Sequence, residues 1–394
     1  MSAAPPGALV RLGALGAAYF ATIGLIHPYA PLWFESLGFS TVLIGAISAL
    51  QSGTRLVSPY AWSWWADHGG ARVRLMRLAA LGALLATVGL LVVQGGAGPW
   101  PLVLLMALLF LANGGIAPLA DAALTQLLAR ADGFDAKRYG RVRVWGSIGF
   151  IAAVLGFGEL LQRLGIALFP WSLVLLHAVL LAVALALPAL ADEHAAGAEP
   201  PPAIGPLLRR PVALWFFASV AFTVLAHTAL YAFFSLYAAE LGHGKAAIGA
   251  LWAVGVVVEV LFFWKQGPWF ERWPATTWLQ VAALATALRF GATAALGAVD
   301  AVLWVAQALH AITFAAHHTA CIALVSRLFP GRARGRGQAL YTSLGYGVPG
   351  VAGGLAGGWL AGQFGYAALF WAAAGCGLLA WWAARRTARA LAID

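Results

Sequence analysis

Runs of about twenty apolar residues recur along the whole chain, and each is long enough to cross a hydrocarbon core about 30 Å thick. Inside such a core every backbone N–H and C=O must find its partner within the protein, which for segments of this length leaves the α-helix. The composition agrees: 62% of the 394 residues are hydrophobic, 10% are charged, and the mean hydropathy is +0.84, outside the range of soluble domains. An all-α, polytopic membrane protein is therefore expected.

Hydropathy places twelve spans, at approximately 9–34, 41–65, 75–94, 102–127, 141–163, 167–188, 212–240, 247–266, 275–296, 302–327, 338–362 and 365–384. The first runs on without a cleavage site and reads as a retained span, not a signal peptide. A formal charge of +10 raises the question of nucleic acid, but the basic residues are not clustered on one face. Of the 24 Lys and Arg residues, all but Arg55, Arg163, Lys245 and Arg289 fall at the N-terminus, in the even-to-odd connectors or at the C-terminus. That alternation is the positive-inside pattern, so both termini are expected in the cytoplasm of a bacterial inner membrane, with the lipid bilayer as the partner and no nucleic acid. Cys321 and Cys376 both lie in apolar runs, where packing is the expected role and no disulfide framework is implied.

The long polar connector Ala191–Pro211 divides the spans six and six. Residues 1–190 and 211–394 are thus expected to form two helical bundles joined by a cytoplasmic linker at 191–210. Internal similarity supports a repeat: WSWWADHGGAR follows span two where KQGPWFERWPA follows span eight, and VWGSIGF opens span five where YTSLGYG lies in span eleven. Two six-helix bundles around a shared cavity is an architecture of secondary transporters.

Two stretches carry a resemblance to the major facilitator superfamily, whose loop signature is GxxxD(R/K)xGR(R/K). Asp67, Gly70 and Arg72 match it in the first half, although Ser63, His68 and Ala71 depart from it. Gly267, Glu271 and Arg272 match in the second half until Pro274 ends the pattern. The resemblance implies a gating role for these loop residues, a carboxylate pairing with a helix end and being released as the bundles rock. More narrowly, the chain resembles the 3-phenylpropionate permease branch, and more distantly the lactose and nucleoside proton symporters. The motifs are APLADA (Ala117–Ala122), YGRVRVWGS (Tyr139–Ser147), VVVEVLFF (Val256–Phe263), LRFGA (Leu288–Ala292) and LHAITFAAHH (Leu309–His318). By that resemblance Asp121 and Arg143 bind substrate, while Glu259, Arg289 and His310 serve substrate binding and proton coupling. Thr313 stands where the lactose symporter has its proton-accepting carboxylate.

Physical chemistry points to the same groups. Arg55, Asp121, Glu259 and Arg289 lie inside spans, each costing roughly 2.5–3.5 kcal/mol at a helix centre, so pairing among them is expected. Span ten carries His310, His317 and His318; on a 3.6-residue helix His310, Thr313 and His317 share a face that must look inward, and histidine titrates near neutral pH. His318, about 80° round from His310, is a candidate relay. Phe150, two turns beyond Arg143, is placed to stack on a planar solute, against ordinary packing as the plainer alternative. His227, Tyr231 and Phe234 share a face of span seven. His27 lies before Pro28 in a span bent by prolines, while Glu159 and His177 show no partner in sequence.

These groups fit a proton-coupled symporter for a small organic solute, an aromatic carboxylate above all. A neutral sugar or nucleoside, or proton-driven drug efflux, fits the same scaffold. A membrane metalloenzyme is disfavoured because the histidines form no HxxxH run and no carboxylate shares their helix. The lack of a GxxxxGK(S/T) loop disfavours an ATP-driven pump. No metal, cofactor or enzymatic activity is expected, and a monomer suffices to enclose the cavity.

Overall fold

The computed structural model describes residues 7–69, 72–93, 98–130, 133–189 and 204–393. Ten stretches among them are long and apolar enough to span a membrane. The last, Arg334–Ile393, is two helices, because Gly365 at φ 82° breaks it where only glycine adopts the left-handed region without strain. Thr41–Gly69 has the length, 29 residues, but its Gln51, Ser52, Thr54, Arg55 and Ser58 keep it below the others in apolarity. The expected twelve spans fit. The helices are α1 (Ala8–Ser36), α2 (Thr41–Gly69), α3 (Arg72–Val93), α4 (Pro99–Leu128), α5 (Ala136–Leu164), α6 (Phe169–Leu185), α7 (Pro211–Glu240), α8 (Lys245–Lys265), α9 (Ala275–Leu296), α10 (Asp300–Leu328), α11 (334–364) and α12 (366–393). The connector at 190–203 and the loop residue Gly70 lie outside the described residues.

Local chemistry sets several boundaries. Asp135 caps α5 by accepting the backbone N–H of Arg138 at 2.9 Å, just after a short antiparallel ladder pairing Ala129 with Phe134 and Arg130 with Gly133. In α4 the sequence Asn113-Gly114-Gly115 interrupts the helix, and the carbonyl of Leu111 takes the Ser58 hydroxyl at 2.6 Å and the Trp62 indole N–H at 2.9 Å.

The chain folds into two compact units. The first contains Met1–Phe39, Thr54–Gly197 and Gly244–Ala253; the second contains Ser40–Gly53, Ala198–His243 and Val254–Asp394. The first turns of α2 and α8 therefore each cluster with helices from the other half of the sequence, and small residues are the reason. In the first unit, α5 approaches α1 through Gly146 and Gly149, which lie against Phe20 and the backbone of Ala17. The start of α8 lies on α5, where Gly249 meets the carbonyl of Val154 and the Tyr29 hydroxyl. Tyr29 of α1 ties these helices together, donating to Val154 O at 2.6 Å. In the second unit, Gly45 of α2 faces Gly354 and Gly358 of α11 so closely that neither helix has room for a Cβ.

Among the described residues, three π-helical turns widen the second unit's helices: Ala229–Phe233 in α7, Ala311–Ala316 in α10 and Tyr341–Gly347 in α11. Such turns break the 3.6-residue register and are frequent at functional sites. Each of the three lies beside a histidine or tyrosine singled out by chemistry.

Candidate functional site

In the first unit, Arg143 near the start of α5 directs Nη1 at both carboxylate oxygens of Asp121, at 2.8 and 2.9 Å. The pair is 42% and 38% exposed, so it remains wetted and is a contact that can be remade. The Arg143 guanidinium lies 5.9 Å from the ring centre of Phe20. A cleft of about 30 Å³ runs beside it, with Tyr19, Phe20, Asp121 and Arg143 on its wall. Tyr19 is within electrostatic reach of Arg55, Asp121 and Arg143, and His27 within that of Arg55. Arg55 therefore belongs to the same neighbourhood.

The backbone of Phe150 packs on Gly24 of α1 and its side chain is buried, so the aromatic partner of Arg143 is Phe20. Sequence reasoning missed Tyr19 and Phe20, which look like any aromatic pair in an apolar helix. His27 rests edge-on against Trp252, with ring centres 6.3 Å apart. His177 and Glu159 have partners that the sequence does not reveal: Asn113 Nδ2 donates to His177 Nε2 at 3.2 Å, and Arg163 pairs with Glu159 one turn away.

In the second unit the centre is Arg289 of α9, 1% exposed. Its Nη1 donates to Thr313 Oγ1 at 2.9 Å and meets His310 Nδ1 at 3.1 Å, while Nη2 donates to Gln307 Oε1 at 2.9 Å. All three acceptors come from α10, where Gln307, His310 and Thr313 follow at intervals of three on one face. Arginine only donates, so Nδ1 of His310 is the accepting nitrogen and Nε2 carries the proton. That Nε2 lies 3.6 Å from Glu259 Oε2 of α8. His310 thus stands between the acid and the arginine. Of the four intramembrane charges, Asp121 pairs with Arg143, which is outside that set. Arg289, in contrast, donates to Thr313 and Gln307 and meets His310, which in turn faces Glu259.

Aromatic groups surround this centre. Phe314 stacks on His310 at 5.1 Å with an interplanar angle of 4°, and His318 stacks on Phe314 at 6.1 Å and 11°. His318 Nδ1 is 3.2 Å from the Tyr341 hydroxyl, which is 3.0 Å from that of Tyr346. On α7, Tyr231 lies 6.2 Å from His227 and 6.5 Å from His310, ring centre to ring centre. Phe234, expected on that face, follows the π-helical turn and is fully buried. The three α10 histidines serve different neighbours: His310 meets Arg289 and Glu259, His317 meets Cys321, and His318 meets Tyr341. Gln307 was missed in sequence, although an amide inside an apolar span, one turn before a histidine, is a readable signal.

Gly267, Glu271 and Arg272 form a short helix, Gly267–Arg272, between α8 and α9, with Arg272 over Trp273 at 5.9 Å. Asp67 is near the end of α2, and Arg72 at the start of α3 donates to Gln126 at 2.7 Å.

Residues 10–372 match the model of the MFS_1-like family, and the chain belongs to that family of major facilitator transporters. It is 28% identical over 311 residues to a probable 3-phenylpropionic acid transporter of Escherichia coli (strain K12), covering 78% of this chain and 79% of that protein. It is 29% identical over 344 residues to a maltose permease of Geobacillus stearothermophilus, covering 84% and 82%. Among solved structures, the nucleoside transporter NupG superposes with a TM-score of 0.82 at 16% identity, over 97% of this chain and 99% of that one. A bacterial homologue of the human lysosomal transporter Spinster, inward-facing and unoccupied, gives 0.71 at 18% identity over 98% and 99%. The fold is that of the major facilitator transporters, and the chain is a multi-pass secondary transporter, not an enzyme.

Proposed function

We propose that this chain is a proton-coupled symporter of a small aromatic carboxylate, working by alternating access. Arg289 carries the reading. A guanidinium removed from water is costly unless an anion compensates it, and its neighbours among the described residues are neutral acceptors. The missing charge is that of the solute carboxylate, and Tyr231, Phe290 and Phe314 supply the apolar wall for its ring. The probable 3-phenylpropionic acid transporter among the relatives is consistent with this chemistry.

The coupling runs through His310. Its Nδ1 accepts from Arg289 while Nε2–H faces Glu259, so a proton added to the ring places a donor against a donor and expels the guanidinium from Nδ1. Arg289 then turns to the anionic solute, and Glu259 holds the imidazolium. Loss of the proton restores the original bond and releases the solute. Residues 1–190 and 211–394 rock as two six-helix bundles about the linker at 191–210, with Asp67 and Glu271 making and breaking contacts at the loops. The protein is a monomer without cofactor in a bacterial inner membrane, its termini cytoplasmic. The maltose permease relative supports a second reading, transport of a neutral sugar, in which Asp121 and Arg143 hold hydroxyls.

Reconstituted vesicles with an imposed proton gradient decide between them. Uptake of labelled 3-phenylpropionate, and not of maltose or uridine, is expected. Glu259→Gln abolishes gradient-driven accumulation while leaving solute exchange measurable. Normal accumulation in Glu259→Gln refutes the coupling scheme, and uptake of maltose alone refutes the carboxylate.

A further inference from the structure

His227 is 4% exposed and its two ring nitrogens are in different situations. Nδ1 lies 2.8 Å from the carbonyl oxygen of Thr223, one turn back on α7. A carbonyl only accepts, so Nδ1 carries the proton. In the neutral ring Nε2 is then a bare acceptor, and it has no hydrogen-bond partner. None of the groups around the ring is hydrogen-bonded to Nε2. Phe290 meets it edge-on at 5.3 Å, while the rings of Tyr231 and His310 lie 6.2 and 6.4 Å away. The charged and titratable neighbours are the Arg289 guanidinium, whose assigned donors point to α10, together with His310 and His317. Among the described residues, no carboxylate acts on the ring. An unpaired buried acceptor is costly, and groups of this kind in native structures call for a partner.

We infer that His227 Nε2 accepts a hydrogen bond from the transported solute, so that the site selects solutes carrying an O–H or N–H donor in addition to the carboxylate held by Arg289. This rests on the carboxylate reading above and narrows it: a ring-hydroxylated arylpropionate is preferred over the unsubstituted acid. The reason is differential. The hydroxylated solute satisfies Nε2, whereas the bare ring leaves it buried and unpaired, and sites built around a polar contact reject analogues that lack it. The sequence could not show this, because the tautomer is set by a backbone carbonyl and the missing partner is a property of the packed site.

Two measurements on the full-length purified protein test it. Nitrogen-15 NMR of histidine-labelled protein, with the His227 signal assigned by its loss in His227→Phe, is expected to report a neutral ring protonated on Nδ1; a proton on Nε2 overturns the inference whatever the solute. Calorimetric titration with 3-(3-hydroxyphenyl)propionate and 3-(4-hydroxyphenyl)propionate against 3-phenylpropionate is expected to favour at least one hydroxylated acid by about tenfold or more, and His227→Phe to abolish that preference. Equal affinities in the wild type, or a preference that survives His227→Phe, overturn it. If the alcohol 3-(3-hydroxyphenyl)propanol binds as well as its acid and does so through His227, the carboxylate reading falls while the role of His227 stands.

Discussion

Gln307→Glu separates a guanidinium awaiting an anion from one that is merely buried. The Gln307 amide oxygen is 2.9 Å from Arg289 Nη2, and both residues are almost wholly enclosed. The substitution changes one atom and places a carboxylate oxygen at the same position, giving Arg289 an internal counter-ion. The bond to Gln307 already has a charged donor and is worth about 1.5–3 kcal/mol, and a full negative charge on the acceptor strengthens it by an amount of the same order. The solute carboxylate must then compete with this internal one, and a loss of about 1.5–3 kcal/mol weakens its binding by roughly 10- to 150-fold. Calorimetric titration of the purified variant with 3-phenylpropionate at neutral pH measures this, and thermal unfolding without solute is expected to rise at the same time. Gln307→Leu moves stability in the opposite direction: it leaves Nη2–H unpaired, lowering stability by about 1.5–3 kcal/mol while retaining anion binding. An affinity unchanged in Gln307→Glu shows that Arg289 does not meet the solute charge.

Asp121→Asn is expected to change thermal stability by less than about 1 kcal/mol, since the pair with Arg143 is half-exposed and screened, yet to abolish transport in vesicles; normal transport removes the pair from the mechanism. Gly45→Val forces a side chain into the backbone of Gly354 and Gly358 and is expected to cost about 1–3 kcal/mol or more in thermal unfolding, whereas Gly53→Ala, whose Cβ meets Val351 Cγ2 at 3.7 Å, is tolerated; equal melting of the two refutes the close α2–α11 contact. Tyr341→Phe removes the hydroxyl between His318 and Tyr346 and is expected to slow gradient-driven uptake severalfold without affecting exchange; an unchanged rate excludes that chain as a proton route.

Hydropathy and charge placement are enough to read the class and much of the layout. A bilayer dictates helix length and backbone pairing, so hydropathy located spans whose observed ends lie within about five residues of expectation, even for α2, whose polar residues weaken the signal; the exception is α12, which runs on past 384 to Ile393. Intramembrane charge is rare enough that Asp121, Glu259 and Arg289 stood out without coordinates. Tertiary structure decided who meets whom. Arg289 turned to the α10 face of Gln307, His310 and Thr313 and not to Glu259, because helix rotation and side-chain reach set that geometry and no linear pattern encodes them. Phe20, not Phe150, lies beside Arg143, since the glycines of α1 and α5 bring those backbones together and enclose Phe150. The π-helical turns in α7, α10 and α11 likewise shift side chains away from the faces that a 3.6-residue period assigns, and such a register change depends on neighbouring helices that sequence periodicity does not see.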